Sequence, residues 1–138
     1  MESFVFSNQM IMQNEEIKNN LIVNLTFEFS ILIIRYCEQM EMRKKFILSN
    51  QILKSGTSIG ANVWEAQNAE SKNDFIHKFK IAAKEMEETK YWLLLCKNFE
   101  EYPDPVELIN KLDTIHKIIT KIISSSKKVF KVSTPLTN

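Results

Sequence analysis

Phe75, Phe79, Ala82, Met86, Thr89, Leu93 and Cys96 alternate spacings of four and three, a heptad seam that predicts a long helix over about 72–101. Ser71 stands three residues before Asp74 at its head, in the arrangement of a capping box. Leu108, Leu112, Ile115, Ile119, Ile122, Ser126 and Val129 repeat the same seam over about 105–130. Between the two seams, Tyr102-Pro103-Asp104-Pro105 ends one helix and starts the next. Asp104 is placed to cap, and Pro105 suits the first helical position. Two matched helices joined by so short a turn make an antiparallel hairpin.

Upstream, Leu48, Ile52, Ser55, Ile59, Val63 and Ala66 recur every three or four positions and predict a helix over about 44–68. Before it, Val23, Leu25, Phe27, Phe29 and Ile31 alternate with polar neighbours in the manner of a strand, but a lone strand would have no partner in this chain. From Thr26, taken as an N-cap, Phe29, Leu32, Ile33, Tyr36, Cys37 and Met40 fit a helical stripe over about 27–41. The expected fold is all-α: an antiparallel four-helix bundle over 26–130, preceded by a polar arm at 1–25 and followed by a frayed tail at 131–138.

Composition agrees. The chain has 138 residues, 44% of them hydrophobic, with only 2 Gly and 3 Pro, so turn chemistry is too sparse for a many-stranded β fold and apolar content too high for disorder. Cys37 and Cys96 sit inside apolar stretches and read as buried thiols of a reducing compartment. Residues 1–20 lack the basic start and apolar run of a secretory signal, and 21–34 is too short and too interrupted to span a bilayer; a cytoplasmic location without membrane contact is expected.

The formal charge of +1 conceals blocks of opposite sign. Residues 43–84 hold 8 basic and 3 acidic groups, 85–113 hold 3 and 8, and no acid follows Asp113. Arg43, Lys44, Lys45, Lys54, Lys78, Lys80 and Lys84, with Lys117, Lys121 and Lys128 on the last helix, are candidates for phosphate contact. The alternative is ordinary: lysines solvate outer faces and complement the negative ends of helix dipoles. On the third helix, Ile81, Tyr91, Trp92 and Leu95 fall off the heptad seam and mark a second apolar face, suited either to a subunit interface or to a helix wedged between others.

Catalytic patterns fail on context. Gly56-Thr57-Ser58-Ile59-Gly60 matches the nucleophile elbow of hydrolases, but helical periodicity precedes it where a strand is required. Gly56 and Gly60 share one helix face, and small residues there let another helix backbone approach closely. Asn62 near that contact reads as a structural amide or a ligand contact. His77, His116, Cys37 and Cys96 form no i,i+3 or i,i+4 metal pair, and no phosphate loop exists. No enzyme activity, metal, cofactor or small-molecule substrate is expected.

The run Leu53-Lys54-Ser55-Gly56-Thr57-Ser58-Ile59-Gly60-Ala61-Asn62-Val63-Trp64-Glu65-Ala66, followed by Ser71, Asp74-Phe75-Ile76, Ile81-Ala82 and residues 85–92, closely resembles a family of four-helix bundles. Its members include the proteins encoded in intervening sequences of 23S ribosomal RNA genes and, more distantly, the accessory variability determinant of diversity-generating retroelements. The resemblance covers about residues 26–128, with Gly56, Ser58, Gly60, Asn62 and Glu65 as its helix-packing signature. It implies a homopentamer of four-helix subunits without a catalytic site. It also implies a non-catalytic accessory or scaffold role, with RNA, DNA or a reverse transcriptase as partner of a basic surface; the alternative is a structural or protein-binding oligomer with no nucleic-acid partner.

Overall fold

The computed structural model describes residues 20–133, with side chains described through Lys127. Four helices follow one another: α1 (Leu21–Met42), α2 (Phe46–Ala66), α3 (Lys72–Lys97) and α4 (Val106–Ser133). No strand occurs among the described residues. Each helix packs on its neighbours in chain order and α1 closes the ring against α4, giving an antiparallel four-helix bundle in which α1 and α3 lie diagonally opposite.

The seams read from the sequence line the core. Phe79, Ala82, Met86, Thr89, Leu93 and Cys96 of α3 are buried, as are Leu108, Leu112, Ile115 and Ile119 of α4. Facing them are Ile52, Ile59 and Val63 of α2 and Phe29, Ile33 and Met40 of α1. Burying a side chain of this size contributes about 1.5–3 kcal/mol, so the ring of four stripes, rather than helix propensity, holds the bundle together.

Helix ends depart from expectation where tertiary packing outweighs local signals. Thr26 is not a cap: it is buried, and its Oγ1 donates to the Ile22 carbonyl at 2.8 Å, so α1 begins six residues earlier, at Leu21, and buries Ile22 and Val23. The bundle therefore takes in residues 21–25, which the sequence assigned to the arm; residues 1–19 of that arm lie outside the described residues. α2 starts at Phe46 rather than near residue 44, because Lys44 adopts a φ of 60° in the left-handed region and Lys45 is the cap residue. α3 stops at Lys97, short of residue 101.

At the head of α3 the cap signal holds. The Asp74 N–H donates to Ser71 Oγ at 3.0 Å, while Asp74 Oδ2 accepts from the Glu70 N–H rather than from Ser71. Asp104 Oδ1 likewise accepts the Val106 N–H at 3.0 Å and starts α4. Each such cap stabilises its helix by about 1 kcal/mol. α4 continues through Ser133, past the expected end near residue 130; the rest of the tail, 134–138, lies outside the described residues.

Candidate interaction surfaces

Helix α2 lies unusually close to α1 at its two glycines. A Cβ on Gly56 would stand 2.9 Å from Ile33 side-chain atoms, and one on Gly60 would stand 3.0 Å from the Thr26 carbonyl oxygen. The small-residue signature is therefore internal. Ser58 Oγ donates to the Lys54 carbonyl at 2.7 Å and Asn62 Nδ2 donates to the Ser58 carbonyl at 2.8 Å, both within α2. Ser58 thus sits mid-helix instead of on a strand-to-helix turn, and Asn62 is a bonded helix amide. Glu65 reaches across to α3, its Oε1 accepting from Lys78 Nζ at 3.1 Å.

The basic candidates do not form one patch. Arg43, Lys44 and Lys45 gather at the α1–α2 connection, where Arg43 Nη1 donates to the Glu101 carbonyl at 3.2 Å and Lys45 Nζ sits 5.3 Å from the centre of the Tyr102 ring. On the α2–α3 face, Lys78 is engaged with Glu65, whereas Lys54 and Lys84 flank Glu85, whose carboxyl is pushed above its ordinary range by burial and by neighbouring Glu88, against the pull of those two lysines. Lys80 is exposed on the same helix. Lys117 and Lys121 are exposed on α4, four residues apart and so on one face. The side chain of Lys128 lies outside the described residues.

The second face expected of α3 is divided. Tyr91 is exposed at 58%, but Trp92 packs against the core with its Nε1 buried and without an acceptor, and Ile81 and Leu95 are half-buried. Lys78, which meets Glu65, marks the flank of α3 turned toward α2: Trp92 and Ile81 fall beside it, Leu95 falls further round and Tyr91 points away. Leu94 joins Tyr91 on the outer surface at 42% exposure. On α1, diagonally opposite, Ile31 and Ile34 are exposed at 40% and 44%. Sequence reasoning missed Leu94, Ile31 and Ile34, although their offset from the buried seams was the available signal.

Apart from Trp92 Nε1, buried polar side chains pair within and between helices. Ser55 and Thr89 link α2 to α3 through hydroxyls 2.9 Å apart, and Thr89 Oγ1 lies 2.7 Å from the Glu85 carbonyl. Since one hydroxyl carries one proton, Thr89 donating to the carbonyl leaves Ser55 to donate to Thr89. Tyr36 donates to the Pro103 carbonyl at 2.7 Å, tying α1 to the α3–α4 turn. Cys37 and Cys96 are buried free thiols; burial pushes Cys37 up to about 11 and Cys96 upward too. No group of three or more metal-ligating side chains occurs among the described residues. None of the described helices is long and apolar enough to cross a membrane.

Comparison with known proteins agrees with this architecture. The family described as 23S rRNA-intervening sequence protein matches residues 18–121. The crystal structure of a protein of unknown function from the S23 ribosomal protein family of Bacteroides thetaiotaomicron is 39% identical, with a TM-score of 0.71. The alignment covers 75% of this chain and 98% of that one. No curated protein matches.

Proposed function

This chain belongs to the 23S rRNA-intervening sequence protein family, and from that premise we propose that it is a non-catalytic, homopentameric accessory protein working in a nucleoprotein context. One observation carries the assembly: exposed apolar pairs stand on opposite sides of the bundle, Tyr91 and Leu94 on α3 and Ile31 and Ile34 on α1. Two different patches on opposite sides suit head-to-tail contact, which closes into a ring when the rotation between neighbours allows. Tyrosine and leucine on one side and isoleucines on the other give the apolar centre that such an interface needs.

The RNA contact falls to α4. Lys117 and Lys121 stand exposed on one face of a helix with no acid after Asp113, and clustered cations reward a phosphate backbone whatever its sequence. A reverse transcriptase is the corresponding protein partner. A second reading has its own support: the basic residues are split among three places, and Lys78 and Lys90 are engaged by Glu65 and Asp113. That division favours a structural oligomer without nucleic acid.

Light scattering in about 0.5 M salt, where charge contacts are screened, is expected to return a pentamer's mass. Ile31→Glu or Tyr91→Glu is expected to abolish it. A monodisperse monomer of the unaltered chain would overturn the assembly. A gel-shift titration with structured RNA at two salt concentrations decides between the two readings, since absence of binding at low salt leaves the purely structural one.

A further inference from the structure

The end of the bundle formed by the α1–α2 connection and the α3–α4 turn carries Met42 and Ile47, the two most exposed large apolar side chains among the described residues at 84% and 82%. Phe46 and Phe99, exposed at 53% and 51%, are at the same end. Along the chain Met42, Arg43, Lys44, Lys45, Phe46 and Ile47 run consecutively, so the apolar side chains are set among three cations. Alongside is an open hollow of about 320 Å³ lined by Cys96, Lys97, Phe99, Glu100, Tyr102 and Asp104, with Glu101 exposed between them. The two loops are fixed side by side by the Arg43–Glu101 bond and by Lys45 over Tyr102. One end of the molecule thus presents an apolar knob set in cations next to a hollow whose surroundings carry Glu100, Glu101 and Asp104 against Lys97.

We infer that this end pairs with the same end of a second copy about a two-fold axis, the Met42 and Ile47 knob of each copy meeting the hollow of the other. Charge selects the partner. A uniformly anionic surface would attract Arg43, Lys44 and Lys45 but be repelled by Glu100, Glu101 and Asp104. A partner with both signs in the reciprocal order satisfies both loops, and a two-fold axis supplies that order from the same sequence. Large exposed apolar side chains ringed by charge are the anatomy of a contact surface rather than of a solvated helix end. The pairing uses neither the α1 nor the α3 patch of the proposed ring, so the two contacts stand or fall separately.

Charge exchange tests it on the full chain, by light scattering at low salt. In an Ile31→Glu background, which removes the ring contact, the mass is expected to be that of a dimer. Adding Arg43→Glu and Lys44→Glu places acids opposite acids and is expected to give a monomer, with helical circular dichroism unchanged. Adding Glu100→Lys and Glu101→Lys to that variant restores opposite signs and is expected to restore the dimer. A monomer already in the Ile31→Glu background, or a dimer indifferent to the charge changes, would overturn the pairing. So would failure of the full exchange to restore it. Co-sedimentation of the monomeric chain with phosphatidylserine vesicles, lost on Ile47→Asp, would assign the end to a lipid surface instead.

Discussion

Gly60 on α2 faces the Thr26 carbonyl of α1 so closely that a Cβ at Gly60 would stand 3.0 Å from that oxygen and 3.1 Å from Ser30 Oγ. One helix turn away, a Cβ on Gly56 would meet Ile33 at 2.9 Å, and Ile33 is fully buried with nowhere to retreat. Alanine would gain about 1 kcal/mol in helix propensity at either site. Overpacking costs about 1–3 kcal/mol. The expected result is a net loss of about 1 kcal/mol for Gly56→Ala and for Gly60→Ala, read as a lower urea midpoint at unchanged slope. A rise in midpoint would show that close helix approach is not what these glycines provide.

The Ser55–Thr89 pair makes a different kind of demand. Both hydroxyls are buried, and each depends on the other or on the Glu85 carbonyl. Thr89→Val keeps the shape but leaves Ser55 without its acceptor, at an expected cost of about 1–3 kcal/mol. Ser55→Ala removes only one side. The double variant is expected to lose less than the two single losses added together, because no orphan remains. Additivity within about 0.5 kcal/mol would mean that the two hydroxyls do not interact.

Periodicity made the core legible because a helix that buries one stripe must space its apolar residues at three and four, and Phe79 to Cys96 and Leu108 to Ile119 do so. The glycine contact was legible from spacing alone. Thr26 was not, since a threonine at a helix start and one that donates to Ile22 four residues back look alike until Ile22 and Val23 are seen to be buried. Trp92 misled for a related reason. A helical wheel shows what lies off a seam but not how far the neighbouring helices cover it, and here Trp92 packs against the core. The exposed Met42 and Ile47 escaped notice because they lie at the ends of the stripes that run through Met40 and Leu48, and only the turn at Lys44 sets them at the bundle end.

RNA contact by α4 has a quantitative signature. Each phosphate neutralised by a lysine adds about 0.9 to the slope of log affinity against log salt on a duplex. Lys117→Gln with Lys121→Gln is therefore expected to lower that slope by about 2 and weaken binding to unrelated RNA sequences alike. The two side chains are exposed, so the thermal midpoint should not move. Binding weakened with an unchanged slope would remove these lysines from the phosphate contact.

Alkaline pH should unfold this bundle through groups that carry no charge at neutrality. Burial raises Cys37 from an ordinary value near 9 to about 11, and it raises Cys96 and Tyr36 as well, Tyr36 by burial first and then by the two thiols and Asp104. A group whose pKa is higher folded than unfolded binds its proton more tightly in the native state. Its contribution is complete below the unfolded value and is lost as pH rises toward the folded one. Stability is therefore expected to be flat from about pH 6 to 8 as far as these groups are concerned and to fall from about pH 9 upward. Every tenfold difference in proton affinity between the folded and unfolded chain amounts to about 1.4 kcal/mol. Tyr36→Phe removes the phenol and its bond to the Pro103 carbonyl, costing about 1 kcal/mol at neutral pH. It should also make the decline shallower above about pH 10, the ordinary phenol value, while the thiols keep its onset near 9. Urea midpoints across this range decide the matter, and an onset unchanged when both thiols are replaced by alanine would separate it from Cys37 and Cys96.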